Sequence, residues 1–118
     1  AVAGKDKAYG VAISQVVPNA GSPTIPLSRR FNEDFKHFAP AGTVPTQLHY
    51  EGYITTQVLA EALKRAGTPV TREKLIKSLD GLKDVDLGGF IVSFSPTRHT
   101  GSSYVDIGII SRGCRLVF

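Results

Sequence analysis

The sequence holds no methionine and a single cysteine, Cys114. One thiol excludes an internal disulfide and leaves the redox compartment open. A lone thiol near a chain end reads as a small apolar filler rather than a nucleophile. The missing methionine leads us to expect a processed product or a fragment. No apolar run approaches the roughly 20 residues that a membrane-crossing helix needs, and no basic-then-apolar leader pattern stands at the start. There is no glycine-rich phosphate loop ending in Lys-Ser/Thr and no Gly-x-Ser-x-Gly elbow. Gly88 and Gly89 precede a strand-like run, so they do not offer a phosphate the free amides of a helix start. The three histidines, His37, His49 and His99, lie in separate local settings, none with a second His or Cys at metal-ligand spacing. Catalysis therefore has little support, and neither metal nor cofactor is expected.

The bulk composition is that of one globular domain or part of one. At 118 residues, 42% hydrophobic and 20% charged, the chain has enough branched and aromatic residues to fill a core, which argues against disorder. The net charge of +4 raises the question of a nucleic-acid partner. Lys64, Arg65, Arg72, Lys74, Lys77 and Lys83 do gather in one region. Glu61, Glu73, Asp80, Asp84 and Asp86 are interleaved with them, which reads as a solvated surface and not as a nucleic-acid patch.

Residues 50–67 carry the clearest helical signal. Ile54, Val58 and Ala62 recur at every fourth position, and Leu59, Leu63 and Ala66 fill the neighbouring row, together an apolar stripe wide enough to bury one face. Glu61 stands four residues before Arg65, the favourable order for a helical ion pair. Gly67 suits a helix stop, and Pro69 prevents a restart. Residues 10–17, a nearly unbroken apolar run closed by Pro18, predict a strand covered on both faces, as in a parallel sheet. Pro26 can open a second helix, whose Leu27, Phe31, Phe35 and Phe38 stripe reads as a core face rather than a ligand-stacking one. Thr71 caps a third, with Glu73 set against its dipole and Leu75, Ile76, Leu79 and Leu82 as its buried face, fraying at Asp80 and Gly81. Residues 1–7 read as a frayed end. Residues 90–94, 104–110 and 114–118 predict short strands, with a tight hairpin at Ser111, Arg112 and Gly113. Val105, Ile107 and Ile109 alternate with Tyr104, Asp106 and Gly108, giving one dry and one wetter face.

One local cluster points to binding. Leu48, His49, Tyr50 and Glu51 open the central helix, where free backbone amides attract anionic groups. Tyr and His can stack on and hydrogen-bond a small polar ligand. A purely structural reading stands beside this: Glu51 offsets the helix dipole and Tyr50 packs.

Four segments in order, GVAISQVVPN, EGYITTQVLAEALKRAG, TREKLIKSL and DLGGFIVSFSPTRHTGSSYVDI, resemble the C-terminal third of periplasmic substrate-binding proteins of ABC transporters. The subgroup is that of branched-chain amino acid (Leu/Ile/Val-binding-protein-like) receptors. The resemblance spans residues 10–110 and rests on the EGY helix, Asp-Leu-Gly-Gly-Phe and Ser-Pro-x-x-His-x-Gly in combination. It implies a fragment of a two-lobed α/β fold, the type I periplasmic-binding-protein fold: one buried strand, three helices, then a short antiparallel strand region. Residues 10–85 would supply first-lobe strand and helices, and residues 86–118 hinge and second-lobe strands. Residues 15–18 would lie near a hinge crossing and residues 48–51 at the cleft edge, with His49, Tyr50 and Glu51 as ligand-binding residues.

By the same resemblance the intact protein would be a non-enzymatic, periplasmic component of an uptake system. It would capture an amino acid or similar small polar solute and engage ABC permease subunits. A ligand-sensing regulatory module of the same fold is the alternative, and a small enzyme with His49 and Glu51 as acid and base is a third class. The segments that would hold a ligand's carboxylate and amino groups are missing, so this chain alone is not expected to hold such a ligand well. A strand patterned for cover that the chain does not contain further predicts self-association.

Overall fold

The central helix owes its start to a residue that periodicity does not reveal. The computed structural model describes residues 5–118; residues 1–4, within the end expected to fray, lie outside the described residues. After a single helical turn, α1 (Lys5–Ala8), and a short strand, β1 (Ala12–Gln15), come three helices: α2 (Pro26–Phe38), α3 (Gln47–Ala66) and α4 (Arg72–Asp80). Four short strands follow: β2 (Val85–Asp86), β3 (Ile91–Val92), β4 (Asp106–Ile110) and β5 (Leu116–Val117). Helix α3 begins earlier than its apolar stripe because Thr46 caps it. The Thr46 hydroxyl oxygen accepts the His49 amide at 3.3 Å, and His49 Nδ1 accepts the Thr46 amide at 3.2 Å. This is a reciprocal capping box with His where Glu or Gln is usual. The helix stops at Gly67, whose φ of +71° suits a residue without Cβ.

The chain divides into two compact units. One comprises residues 19–102, with α2, α3, α4 and the β2–β3 hairpin. Its core is the α2–α3 contact. Phe31 lies 4.9 Å from Tyr50 and 5.5 Å from both Phe35 and Tyr53, ring to ring, in tilted or edge-on geometry. Leu27, Ile54, Ala62, Leu82, Leu87, Phe90 and Val92 complete it. Ala62 and Ile54 are thus buried as the stripe predicts, whereas Leu59 and Leu63 of the neighbouring row are exposed. Helix α4 joins α3 partly through polar contact, Ser78 Oγ donating to the Ala62 carbonyl at 2.7 Å. It buries no residue fully, and its Ile76 is exposed. The helix ends at Asp80 with Gly81 as its cap, so Leu82 enters the core from beyond the helix rather than from its face.

The Asp-Leu-Gly-Gly-Phe segment finds a local role here. Ile25, the N-cap of α2, makes no side-chain cap. The orphan Leu27 amide instead donates to the Gly88 carbonyl at 3.0 Å, while Asp86 Oδ1 accepts the amides of Gly88 and Gly89 at 2.8 and 2.6 Å. Gly88 has φ +106°, and a Cβ there would stand 2.8 Å from Arg30 Nη2 and 3.2 Å from the Leu27 nitrogen. The loop that closes the start of α2 therefore has no room for another residue.

The other unit joins the residues up to Pro18 with Ser103–Phe118. It is a three-stranded antiparallel sheet in the order β1-β4-β5, with Ala12 opposite Ile109 and Ile109 opposite Val117. Three expectations change. Strand β1 pairs antiparallel, not parallel, and it is exposed rather than covered, with Val11, Ile13 and Val16 all open to solvent. The alternating face of β4 holds as a pattern, but Ile107 and Ile109 are the exposed side, and Gly108 is buried beneath Leu116. Cys114 is exposed in the turn before β5, with φ +55°, and not a packed filler. Within this chain β1 pairs with β4, and β2 and β3 belong to the unit of residues 19–102.

Candidate functional site

The residues singled out for binding all sit where α3 starts, and the cap fixes their directions. Nδ1 of His49 accepts a backbone amide, so in the neutral ring the proton resides on Nε2, the nitrogen that takes no part in the cap. The ring packs on Phe35 at 5.2 Å between centroids. One position on, Tyr50 turns inward and is 0% exposed. Its hydroxyl lies 2.9 Å from Ser28 Oγ. Ser28 spends its single proton on the Asn19 carbonyl at 3.0 Å, so Tyr50 is the donor in that pair. Burial, the largest cause, pushes the Tyr50 phenol above its ordinary value. Tyr50 thus has no free surface within this chain. Glu51 is half-buried, and its carbonyl accepts the Thr55 hydroxyl at 2.9 Å. Leu48, the first apolar residue of the helix, is 76% exposed.

Further along the same face stands the tyrosine of the EGY motif, which the sequence did not single out as a binding residue. Tyr53, one turn beyond His49, donates its hydroxyl to Asp34 Oδ2 on α2 at 2.7 Å. Its pKa is raised to about 12, first by burial, then by the Asp34 carboxylate, with Arg30 opposing. Tyr53, Asp34 and His49 border a solvent-open groove of about 500 Å³ with Phe31, Phe35, Phe38, Ala39, Pro40 and Thr43. The Phe31, Phe35, Phe38 spacing was visible in the sequence. The link from Asp34 to Tyr53 was not, because 19 residues separate them.

The other candidate positions have structural roles. His99 lies 3.5 Å from Asp80 in the turn where Ser95 bridges Arg98. Gly101 lies under the Phe94 ring, where a Cβ would come within 2.4 Å of Cζ. Ser-Pro-x-x-His-x-Gly is therefore a turn packed on an aromatic ring. Among the described residues, no three His, Cys, Asp or Glu side chains gather as metal ligands, and no helix is long and apolar enough to cross a membrane.

Residues 1–113 of the chain match a known family model, described as periplasmic binding protein. The chain belongs to the periplasmic binding protein family. No curated protein gives a match. Among solved structures, a substrate-binding periplasmic protein from Ralstonia solanacearum is similar at 32% identity and TM-score 0.86, over 96% of this chain and 32% of that one. An extracellular ligand-binding receptor from Verminephrobacter eiseniae is similar at 31% identity and TM-score 0.87, over 97% of this chain and 32% of that one. A possible leucine/isoleucine/valine-binding protein from Rhodopirellula baltica stands at 26% and 0.85, over 96% and 31%. This periplasmic binding protein chain thus spans about a third of the length of these structures. The α/β architecture of three helices and short strands is a fragment of their fold.

Proposed function

We propose that the chain is part of the solute-binding component of an ABC-type uptake system, and that the intact protein captures an amino acid or similar small polar solute. The observation that carries this is the start of α3. There Leu48 and His49 are exposed, and the Thr46 cap and the buried Tyr50–Ser28 pair hold the start of the helix in place. A rigid, solvent-facing edge of this kind suits a wall that a ligand closes against. His49 and Glu51 would offer polar contacts to the solute, and Tyr50 would support them from below. The similarity to a structure described as a possible leucine/isoleucine/valine-binding protein favours a branched-chain or related amino acid. Delivery to permease subunits and a periplasmic location follow from the same reading. So does self-association of this chain through its exposed sheet.

The test uses the full-length receptor with a panel of amino acids, small amides and aromatic acids, followed by thermal shift. A cognate solute at a hundred times its Kd should stabilise the protein by about 2.7 kcal/mol, read as a rise in Tm. A panel in which no amino acid or related solute moves Tm overturns the proposal.

A further inference from the structure

The aromatic stripe of α2 serves two purposes, and its second half leads to a second binding site, which shares His49 with the edge proposed for solute capture. Leu27 and Phe31 are buried, as a core face requires. Phe38, at the end of the same stripe, is 81% exposed, and Phe35 is half-buried. These two rings, with Phe31, Tyr53 and His49, line a solvent-open groove of about 500 Å³ between α2, the following loop and α3. Among its lining residues Asp34 is the one carboxylate, and neither lysine nor arginine is present. Tyr53 engages one carboxylate oxygen, Oδ2, at 2.7 Å and thereby fixes the group against the wall. The other oxygen is left for a ligand.

We propose that this groove binds a small organic cation, a quaternary or alkyl-ammonium group, through its aromatic walls and Asp34. Aromatic faces carry the negative end of the ring quadrupole and attract cations. Asp34 adds a full negative charge in the same space. A neutral apolar guest would fill the groove but would offer the Asp34 carboxylate no charged partner. An anion would face that carboxylate directly. The elevated Tyr53 value keeps its hydroxyl a neutral donor throughout the physiological range, so Asp34 holds the site's negative charge. All the lining residues lie within residues 19–102, one compact unit of the chain.

The experiment is an NMR titration of the 118-residue chain with choline and, separately, with its neutral isostere 3,3-dimethylbutanol. We expect choline to shift Tyr53, Phe35 and Phe38 resonances saturably and to bind about tenfold or more tightly than the alcohol. Asp34→Asn should remove that preference while leaving alcohol binding as it was. Phe38→Leu, at a side chain too exposed to govern folding, should weaken choline binding severalfold. The choline–alcohol comparison in the unaltered chain needs no variant to fold. Equal binding of the two compounds, shifts that map away from these residues, or no saturation with either, overturns the proposal. The two readings share His49 but are told apart by Tyr53: an amino acid that raises Tm of the full-length receptor without moving Tyr53 leaves the cation site to stand or fall on choline alone.

Discussion

Tyr50 and Tyr53 are three residues apart on one helix and make opposite use of a phenol. Tyr50 has given all its surface to the α2 contact, and its hydroxyl completes a chain from Tyr50 to Ser28 to the Asn19 carbonyl. Tyr50→Phe keeps the ring and removes the donor, leaving Ser28 Oγ buried with one fewer partner. It should cost about 1 kcal/mol in urea unfolding. Tyr50→Ala should cost about 3–5 kcal/mol, because a large cavity opens beside Phe31. A Tyr50→Phe protein as stable as the parent would show that the hydroxyl pair contributes nothing net. Tyr53 is the more exposed of the two, and its signature is titration. A raised folded-state value means that the neutral phenol is favoured in the native state. Its contribution is fully present below the ordinary value of 10.0 and is lost as pH climbs through about 12. Ultraviolet titration should show one of the four tyrosines ionising near 12. Asp34→Asn should lower that midpoint without restoring the ordinary value, since burial is the larger cause. A Tyr53 midpoint unchanged by Asp34→Asn would mean that the carboxylate does not act on it.

Helix interiors were legible from spacing; helix starts were not. The Ile54 and Ala62 rows, the Gly67 stop and the Thr71 cap follow from local chemistry, and the structure keeps them. Thr46 was missed because a capping box is recognised by Glu or Gln at its third position, and here His49 fills it. Thr46→Ala should cost about 1 kcal/mol, read from the urea midpoint at constant slope. His49→Gln should retain most of that stability and His49→Ala should not; equal stability of the two His49 variants would contradict the reciprocal box. The loop holding α2 was likewise visible only as a motif. Its chemistry, Asp86 accepting two glycine amides, needs the fold to bring Gly88 against Leu27. The Gly88 and Gly89 amides hold the Asp86 carboxyl below its ordinary value. Its stabilising share is therefore complete above that ordinary value and is lost as pH falls through the lower folded one. Asp86→Asn should flatten the acid limb of the stability profile. A profile of unchanged slope would show the amide contacts to be energetically idle.

For the whole molecule, the sequence spoke clearly about which residues are apolar and could not say what covers them. The alternation in β4 placed Ile107 and Ile109 on one face, and the register adds Val117, opposite Ile109, to it. Ile107 is 61% exposed, and its two companions are about as open. Burial is a property of neighbours, and a chain spanning a third of its structural relatives does not carry all the neighbours they have. The result is a sheet of three strands in which β1 and β5 each have one partner, next to an apolar face. Both features favour joining another chain: unpaired edge groups by adding a strand, the apolar face by excluding water. We therefore expect the 118-residue chain to gain mass with concentration in light scattering. Ile107→Lys puts a charge on the face without touching the ladder hydrogen bonds, so it should shift the association to higher concentration while leaving the helical circular dichroism unchanged. An Ile109→Lys variant should act alike, because both side chains share that face. If the parent chain scatters as a clean monomer at millimolar concentration, the exposed sheet is not sticky enough to drive association.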